Sequence, residues 1–363
     1  MPIPLLLHGR HAGPTVHYEP FGPWLVPWRF TSFEEEYAAL RQGVGLLDYS
    51  TQALIEVRGP DRAVFLHNLL TNDIKTLAPG RSCRAALLNA SAKLISDLFV
   101  LAEDQAHWLV CDLSRAVVVA ETLNRYLFAE QVTLVNHERR WAVLALQGPR
   151  TIEALTEVFG GVVALPQPGD HVRRMLGDLP VWVVRQSLAG GLGAWCLIDA
   201  DAAQAAWTLF AQRGGRIGLR LVGWEALNAA RIEAGIPWFG IDMDESNLLP
   251  ETGLERTAVS DTKGCYLGQE IVARLATYGS ASRKLMGVVF EGADQAQAGD
   301  EIRCRGEDVG RITSAGYSPA LGRAVALGYL KRGAYEAGTA VDVLRGAARL
   351  RAAVAATPLA RTG

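Results

Sequence analysis

The sequence has no closely spaced pair of cysteines. Its 363 residues include five, which stand far apart at Cys83, Cys111, Cys196, Cys265 and Cys304. Without a Cys-x-x-Cys pair, a zinc ribbon or an iron–sulfur cluster held by this chain alone is disfavoured, and we expect no metal site. The odd number and the wide spacing also argue against a disulfide framework. A reducing compartment is therefore expected.

Long apolar runs are also absent. No stretch reaches the length of about 18 apolar residues that a membrane-spanning helix needs. The first residues carry no basic segment, and their apolar run is too short for a signal peptide. We therefore predict a cytoplasmic protein with no membrane partner.

The sequence lacks a strong net charge. Its formal value is −2, so there is no general electrostatic attraction to nucleic acids or membranes. We expect no direct binding of nucleic acid. Hydrophobic residues make up 49% and charged residues 20%, which is typical of a globular protein. The length predicts two or three domains with a substantial core.

A repeated junction suggests an internal duplication. The strand–Gly-Pro–helix pattern at Gly59-Pro60 recurs at Gly148-Pro149, 148 − 59 = 89 positions later. One such match means little, because proline is generally favoured in the first turn of a helix. Two matches, each followed by strands and a second helix, predict duplicated α+β units over roughly residues 45–136 and 141–235.

The remaining segments differ from these units. Residues 1–30 are rich in proline, glycine and aromatics, and we interpret them as an irregular arm. Residues 31–43 have the capping residues and first-turn acids of a helix. After residue 235 a long ordered loop leads towards Cys265. From about residue 282, short apolar strands alternate with glycine turns, which predicts a small antiparallel barrel or sandwich over 282–363 after a body over 1–281.

The most unusual stretch is Lys263-Gly264-Cys265-Tyr266-Leu267-Gly268-Gln269-Glu270. Lys263 can stabilise a thiolate at Cys265 if the two side chains face each other. Gln269 and Glu270 can orient the thiol or begin a helix. Cys265 is thus a candidate nucleophile or redox thiol, although a free cysteine is often only a small buried hydrophobe. One cysteine cannot hold an iron–sulfur cluster.

Five further stretches, in order along the chain, resemble the glycine-cleavage T-protein superfamily. They are Gly45-Leu46-Leu47-Asp48-Tyr49-Ser50, Thr71-Asn72-Asp73-Ile74, Leu146-Gln147-Gly148-Pro149, Arg231-Ile232-Glu233-Ala234-Gly235-Ile236, and Gly310-Arg311-Ile312-Thr313-Ser314 with Ser318-Pro319. Each is weak alone, but together they cover residues 20 to 345. The octapeptide resembles the signature of the YgfZ-type folate-binding branch, which supports iron–sulfur enzymes and tRNA modification.

The resemblance implies an α+β fold of two ferredoxin-like units followed by a small C-terminal antiparallel β-barrel, arranged around a central folate channel. It implies tetrahydrofolate, or another reduced folate derivative, as the cofactor. Iron–sulfur proteins or their assembly machinery are the implied protein partners.

A reduced folate needs polar groups for its pterin edge, an apolar or aromatic wall, and cations for its anionic tail. The resemblance points to an acid in an Asp-Asp-Leu turn, where this chain has Ser96-Asp97-Leu98. Asp97 is therefore a candidate catalytic and folate-binding residue. The alternative is an ordinary polar position on an alternating strand.

Other candidates for folate binding are Asn72, Asp73, Arg231 and Trp238, together with Lys263, Gln269 and Glu270. Each has a plainer alternative. Asn72 and Asp73 can simply shape a turn, Trp238 can be a core aromatic, and Arg231 can be a surface arginine paired with Glu233 or Glu225. Which of Asp73 and Asp97 lies nearer the pterin stays open.

One departure concerns the loop at residues 187–193. T-proteins carry a Gly-Tyr-Thr-Gly-Glu segment whose acid binds the pterin, but the comparable region here has no glutamate. Our main hypothesis is a folate-binding accessory protein that acts through Cys265. The alternative is a tetrahydrofolate-dependent aminomethyl- or methyltransferase. A scaffold that has lost its ligand is the third possibility, and the presence of turnover stays open.

Overall fold

The computed structural model describes residues 1–11, 16–278 and 281–360. Its first three strands are β1 (Ile3–Pro4), β2 (His17–Phe21) and β3 (Trp24–Arg29), and they form a small sheet in the order β1-β3-β2. The prediction of an irregular arm over residues 1–30 was therefore wrong. Prolines within a segment usually argue against a strand, but here Pro20 lies on the edge strand β2, and Pro27 lies on β3 beyond the residues that pair with β1.

The predicted helix over 31–43 is confirmed as α1 (Phe33–Gln42), and Ser32 caps it by accepting a hydrogen bond from the amide of Glu35. The next strand, β4 (Gly45–Asp48), lies at the start of the first repeat in sequence. It pairs with a strand of the second repeat, so the two repeats are interlocked.

The first repeat forms one five-stranded sheet in the order β6-β7-β8-β5-β9, with two helices. Its elements are β5 (Gln52–Arg58), α2 (Arg62–Leu69), β6 (Ser82–Leu88), β7 (Leu94–Ala102), β8 (Ala106–Asp112), α3 (Ala116–Arg125) and β9 (Thr133–Asn136).

The second repeat forms a six-stranded sheet in the order β11-β12-β13-β10-β4-β14. Its elements are β10 (Trp141–Gln147), α4 (Thr151–Phe159), β11 (His171–Leu176), β12 (Leu179–Val184), β13 (Gly193–Asp199), α5 (Ala203–Gly215) and β14 (Arg220–Leu221). The order β11-β12-β13-β10 reproduces β6-β7-β8-β5, as the duplication predicts.

The two repeats meet at equivalent residues. Arg81 forms a bridge with Asp170, and these positions are separated by the same 170 − 81 = 89 residues as the Gly-Pro junctions. A contact between equivalent residues is the mark of a twofold relation. The two sheets face each other across a core that contains Val110 of the first repeat and Leu197 of the second, and the helices cover their outer faces.

The chain continues through α6 (Trp224–Ala234), a 3-10 turn at Leu249–Glu251, α7 (Glu255–Ala258) and α8 (Gln269–Tyr278). Six strands then close a barrel in the order β15-β18-β17-β16-β19-β20. They are β15 (Arg283–Phe290), β16 (Glu301–Cys304), β17 (Glu307–Ser318), β18 (Arg323–Lys331), β19 (Ala340–Arg345) and β20 (Ala348–Ala355). The predicted fold class, two ferredoxin-like units and a barrel, is confirmed, although β20 was not anticipated.

Among the helices of the described residues, none has the length and apolarity that crossing a membrane requires.

A buried arginine joins α6 to the barrel and to the loop after α6. The side chain of Arg231 is completely buried and forms an ion pair of 2.5 Å with Asp242. It also donates to the hydroxyl of Ser314 on β17 at 2.5 Å and to the carbonyl of Ile236 at 3.1 Å. Ser314 in turn donates to Asp242 at 2.6 Å, so the network is closed.

Replacing this arginine should destabilise the whole protein. Arg231→Met leaves the carboxylate of Asp242 buried without its cation, and we expect a loss of about 3–5 kcal/mol in unfolding free energy. Urea unfolding followed by circular dichroism measures it. The matched control is Arg150→Ala, which removes an exposed ion pair with Glu153 and should cost at most about 1 kcal/mol. Equal losses in the two variants would show that the buried pair is not what holds these parts together.

Candidate functional site

A cavity of about 420 Å³ lies between the two sheets of the body. Its walls come from the β2–β3 turn, the strands of both repeats, the start of α6 and the loop after α6. This volume is within the range of about 300–1,000 Å³ that is usual for small-molecule sites.

Among the described residues, eight aromatic side chains line the cavity. They are Phe21, Trp24, Tyr49, Phe99, Trp195, Trp224, Trp238 and Phe239. The rings of Tyr49 and Trp224 stack with centroids 5.9 Å apart, and Trp224 meets Trp238 edge to face at 5.1 Å. Trp238 thus lies where the sequence predicted, in the wall. Such a lining suits a flat, apolar or heteroaromatic ligand.

Asp97 of β7 faces this cavity. Side chains alternate across a strand, so its neighbour Ser96 points to the opposite face and is fully buried there. Asp97 accepts hydrogen bonds from Nε and Nη2 of Arg84 at 3.2 and 2.5 Å. Asp97, which has the carboxylate, is therefore the residue of this pair that can touch a ligand.

A second carboxylate, Asp112 at the end of β8, also lines the cavity. Its Oδ1 accepts from the amide and the hydroxyl of Ser114 at 2.9 and 2.5 Å. Burial and the nearby charge of Asp97 raise the pKa of Asp112 to about 6, despite hydrogen bonds from Ser114 and from the Trp24 side chain.

Our sequence reasoning missed Asp112, although a signal was present. β7 and β8 pair with Leu98 opposite Cys111. Continuing this register by one residue places Asp112 opposite Asp97, with both side chains on one face. Working out the register of this hairpin would have identified the pair.

The loop that lacks a glutamate also borders the cavity, through Gln186, Ser187 and Leu188. The side chain of Gln147 fixes this loop by hydrogen bonds to its backbone. Its Oε1 accepts from the amide of Leu188 at 2.9 Å, and its Nε2 donates to the carbonyl of Leu192 at 2.8 Å. The Leu146-Gln147-Gly148-Pro149 stretch therefore has a structural role, because a buried amide satisfies the polar backbone of the loop.

Arg231 lies behind the wall instead of lining the cavity. Its guanidinium is 4.5 Å from the ring centroid of Trp238, and its hydrogen bonds go to protein groups. The partners considered from sequence are engaged elsewhere: Glu225 pairs with Arg29, and Glu233 pairs with Arg41. Arg231 is therefore placed to position Trp238.

Lys263 lies at the end of α2 and does not line the cavity. Its amino group donates to the carbonyls of His67, Leu70 and Asn72, the last two at 2.5 and 3.1 Å. Burial lowers the pKa of Lys263 to about 8. An ammonium group has three hydrogens, and these carbonyls account for all of them. The condition under which Lys263 could stabilise a Cys265 thiolate is therefore not met.

Asn72 and Asp73 belong to the same region. Asn72 donates to the carbonyl of Arg84 at 2.7 Å. Asp73 accepts from the amide of Thr76 at 3.2 Å and lies 3.1 Å from His67. Both shape the turn after α2, and neither is part of the cavity wall. Of Asp73 and Asp97, only Asp97 lines the cavity.

Cys265 is exposed and lies outside the cavity wall. The octapeptide is nevertheless anchored. Tyr266 packs in a small core with Leu88 and Leu94. At Gly268 the φ angle is +79°, and a Cβ would lie 2.7 Å from the carbonyl oxygen of Asn89, so only glycine fits.

Gln269 and Glu270 begin α8, as one of the two sequence alternatives proposed. The Oε1 of Gln269 accepts from the amide of Tyr266 at 3.3 Å, and Glu270 is exposed. The predicted site residues thus separate into two groups, with Asp97 and Trp238 at the cavity and the octapeptide with Asn72 and Asp73 outside it. Within the described residues, no group of three or more acidic, histidine or cysteine side chains is arranged to hold a metal ion.

Comparison with known proteins agrees with this architecture. Residues 7–262 match the GCVT N-terminal domain, and residues 283–360 match the glycine cleavage T-protein C-terminal barrel domain. The chain therefore belongs to the glycine-cleavage T-protein family.

Several relatives of similar length are named aminomethyltransferase. The chain is 29% identical to an aminomethyltransferase of Symbiobacterium thermophilum, with 94% of this chain and 93% of the relative aligned. It is 27% identical to an aminomethyltransferase of Bacillus subtilis, with 97% and 96% aligned. The crystal structure of the glycine cleavage system aminomethyltransferase T from Bartonella henselae has the same fold, with a TM-score of 0.89 at 23% identity over 100% of this chain and 99% of that one.

The raised pKa of Asp112 predicts how stability depends on pH. Its value in the unfolded chain is near 3.8, so the folded protein binds the proton more tightly. This contribution to stability is complete below about pH 4 and is lost as the pH rises to about 6. A pKa difference of about two units corresponds to about 3 kcal/mol of unfolding free energy.

Between pH 4 and pH 7, the unfolding free energy of Asp112→Asn should therefore rise relative to that of wild type by up to about 3 kcal/mol. Urea unfolding measures this difference. Asp199→Asn, at the exposed end of β13, is the matched control. If the difference between Asp112→Asn and wild type stays constant over this range, the raised pKa is refuted.

Proposed function

We propose that this protein binds tetrahydrofolate in the cavity and transfers a one-carbon group, of the aminomethyl or methyl type, to or from it. The observation that carries the proposal is the carboxylate of Asp97 in a slot lined by aromatic rings. The names of the full-length relatives support a transferase. The missing glutamate in the loop at 187–193 means that the pterin is held differently from the pattern described above.

The lining matches the chemistry of a reduced folate. Asp97 can accept hydrogen bonds from pterin N–H groups, and Gln52 and Ser187 add neutral polar groups. Trp195, Trp224 and Trp238 can sandwich the flat rings. Among the described residues that line the cavity, Arg84 is the only cation, and it already pairs with Asp97. The anionic tail therefore extends towards the mouth of the cavity.

Calorimetric titration with tetrahydrofolate tests the proposal. We expect saturable micromolar binding by the wild type and a loss of about tenfold to hundredfold in Asp97→Asn, because a hydrogen bond to a charged group contributes about 1.5–3 kcal/mol. Asp178→Asn, in an exposed turn, should bind like wild type. In a turnover assay with an aminomethyl donor, Asp178→Asn should be as active as wild type, and Asp97→Asn should be less active. Absence of saturable binding would remove the proposal.

A second candidate is the YgfZ-type function, a folate-binding accessory protein for iron–sulfur enzymes that also affects tRNA modification. The specific observation in its favour is an exposed thiol on an anchored stretch. Cys265 lies between Lys263 and Tyr266, whose side chains are tied to α2 and to a small core. An accessible thiol held in this way can meet a partner protein without entering the cavity.

Cys265→Ala separates the two candidates. The variant should fold and bind tetrahydrofolate like wild type, because the thiol contributes no wall to the cavity. If the accessory function is correct, it should fail to restore iron–sulfur-dependent activity in cells that lack the protein. The control is Cys304→Ala on the barrel, which should restore it. Full restoration by Cys265→Ala, with turnover intact, supports the transferase and rejects the accessory role.

A further inference from the structure

We infer that Asp112 is the residue that exchanges a proton with the ligand in the cavity, and that Asp97, ion-paired with Arg84, is the hydrogen-bond acceptor beside it. This assignment deepens the proposed function and rests on it. It divides two carboxylates of one cavity between two roles, a proton carrier and an ion-paired hydrogen-bond acceptor.

The two carboxylates are neighbours on adjacent strands. The register of β7 and β8, with Leu98 opposite Cys111, extends to Asp97 opposite Asp112. On the far side of Asp112, β5 contributes Gln52, which pairs directly with it and also lines the cavity. A ligand in the cavity therefore meets both acids at once, side by side on one face of the sheet.

Their environments differ in charge. Asp97 has a cationic partner, Arg84, at 2.5 Å. The hydrogen-bond donors to Asp112 among the described residues are neutral, namely the backbone amide and hydroxyl of Ser114 and the Trp24 side chain. A carboxylate that has only neutral donors and lies beside another carboxylate takes up a proton more readily than an ordinary aspartate.

The surroundings of Asp112 contain few other titratable groups. Besides Asp97 and its partner Arg84 on the adjacent strands, Tyr49 and Cys111 interact with it, and burial raises the pKa of each of these two. The elements packed on the other side contribute Trp224 and Trp238, which do not ionise. A proton that moves near neutral pH in this cavity is therefore carried by Asp112.

Helix capping does not explain why Asp112 faces the cavity. The duplication supplies a comparison, because Asp199 ends β13 as Asp112 ends β8, each four residues after a tryptophan. Asp199 caps the next 3-10 turn in the same way, accepting from the amide of Asp201 at 3.0 Å. Its side chain is 44% exposed and lies outside the cavity. Capping is thus common to both repeats, whereas contact with the cavity belongs to Asp112 alone.

The proton has a defined place in the transfer. When a secondary amine nitrogen of the folate attacks the one-carbon group of the donor, a C–N bond forms with the nitrogen lone pair. The bond from that carbon to the donor's heteroatom breaks, and the heteroatom leaves with the electron pair. The nitrogen is then positively charged and still carries its proton, which the carboxylate of Asp112 accepts. In the reverse direction the neutral acid returns it.

Proton-linked calorimetry tests the assignment without requiring turnover. Tetrahydrofolate is titrated between pH 5.5 and 7.5 in phosphate and in Tris, whose ionisation enthalpies differ, so that the difference in heat counts protons taken up or released. Wild type should show a proton linkage centred near pH 6. Asp112→Asn should lose this linkage and keep its affinity within about threefold. Asp97→Asn should lose affinity about tenfold or more and keep a linkage whose midpoint moves to lower pH, because the charge of Asp97 that helps to raise the pKa of Asp112 is gone. Asp199→Asn should behave as wild type.

A second variant covers the case in which Asp112→Asn does not fold. Trp24→Phe removes a donor that stabilises the charged form of Asp112, so the midpoint of the linkage should move to higher pH. An unchanged midpoint in Trp24→Phe, or a wild-type linkage in Asp112→Asn, overturns the assignment while leaving folate binding intact. Absence of tetrahydrofolate binding by wild type overturns the proposed function and the assignment together.

Discussion

The buried ion pair between Arg231 and Asp242 is the interaction on which the arrangement of the site depends. It ties α6 to β17 of the barrel through Ser314 and fixes the loop after α6. The same guanidinium lies under the ring of Trp238, and that loop forms one wall of the cavity. A buried cation costs too much to leave unpaired, so loop, helix and barrel must adopt one relative position. The cavity keeps its shape for this reason.

Duplication supplies two equivalent sheet faces, yet the acids that line the cavity, among the described residues, come from the first repeat only. On the cavity face, Arg84 pairs across the strands with Phe99. The equivalent residue of the second repeat is Arg173, 89 positions later, and it pairs in the same way with Trp182. There Trp182 packs on Trp108 and Trp141 with ring centroids 4.7 and 5.4 Å apart. Indole rings thus fill the face of the second repeat, whereas the face of the first repeat retains Asp97, Asp112 and the cavity. Close packing of large side chains distinguishes the two halves.

Several features could be predicted from particular residues. The Gly59-Pro60 and Gly148-Pro149 junctions identified the repeat, because proline and glycine constrain the backbone locally. Asp97 was found through the Ser96-Asp97-Leu98 pattern, and its direction follows from strand alternation. The N-terminal sheet was missed, since its strands are short and contain Pro20 and Pro27, which usually argue against a strand. Asp112 was missed because its importance comes from the register with β7 and from no feature of its own neighbours.

The octapeptide shows the same division. Its sequence indicated a tight backbone turn at Gly268 and a candidate helix start at Gln269, both of which depend on local backbone chemistry. The tertiary structure decided that the amino group of Lys263 binds carbonyls at the end of α2, and that Cys265 lies outside the cavity. Sequence alone indicated the fold class and the duplication, and it named Asp97 and Trp238 among the candidate site residues. Only long-range packing decided which acids meet, since the electrostatics of Asp97 and Asp112 arise from neighbours on other strands and helices.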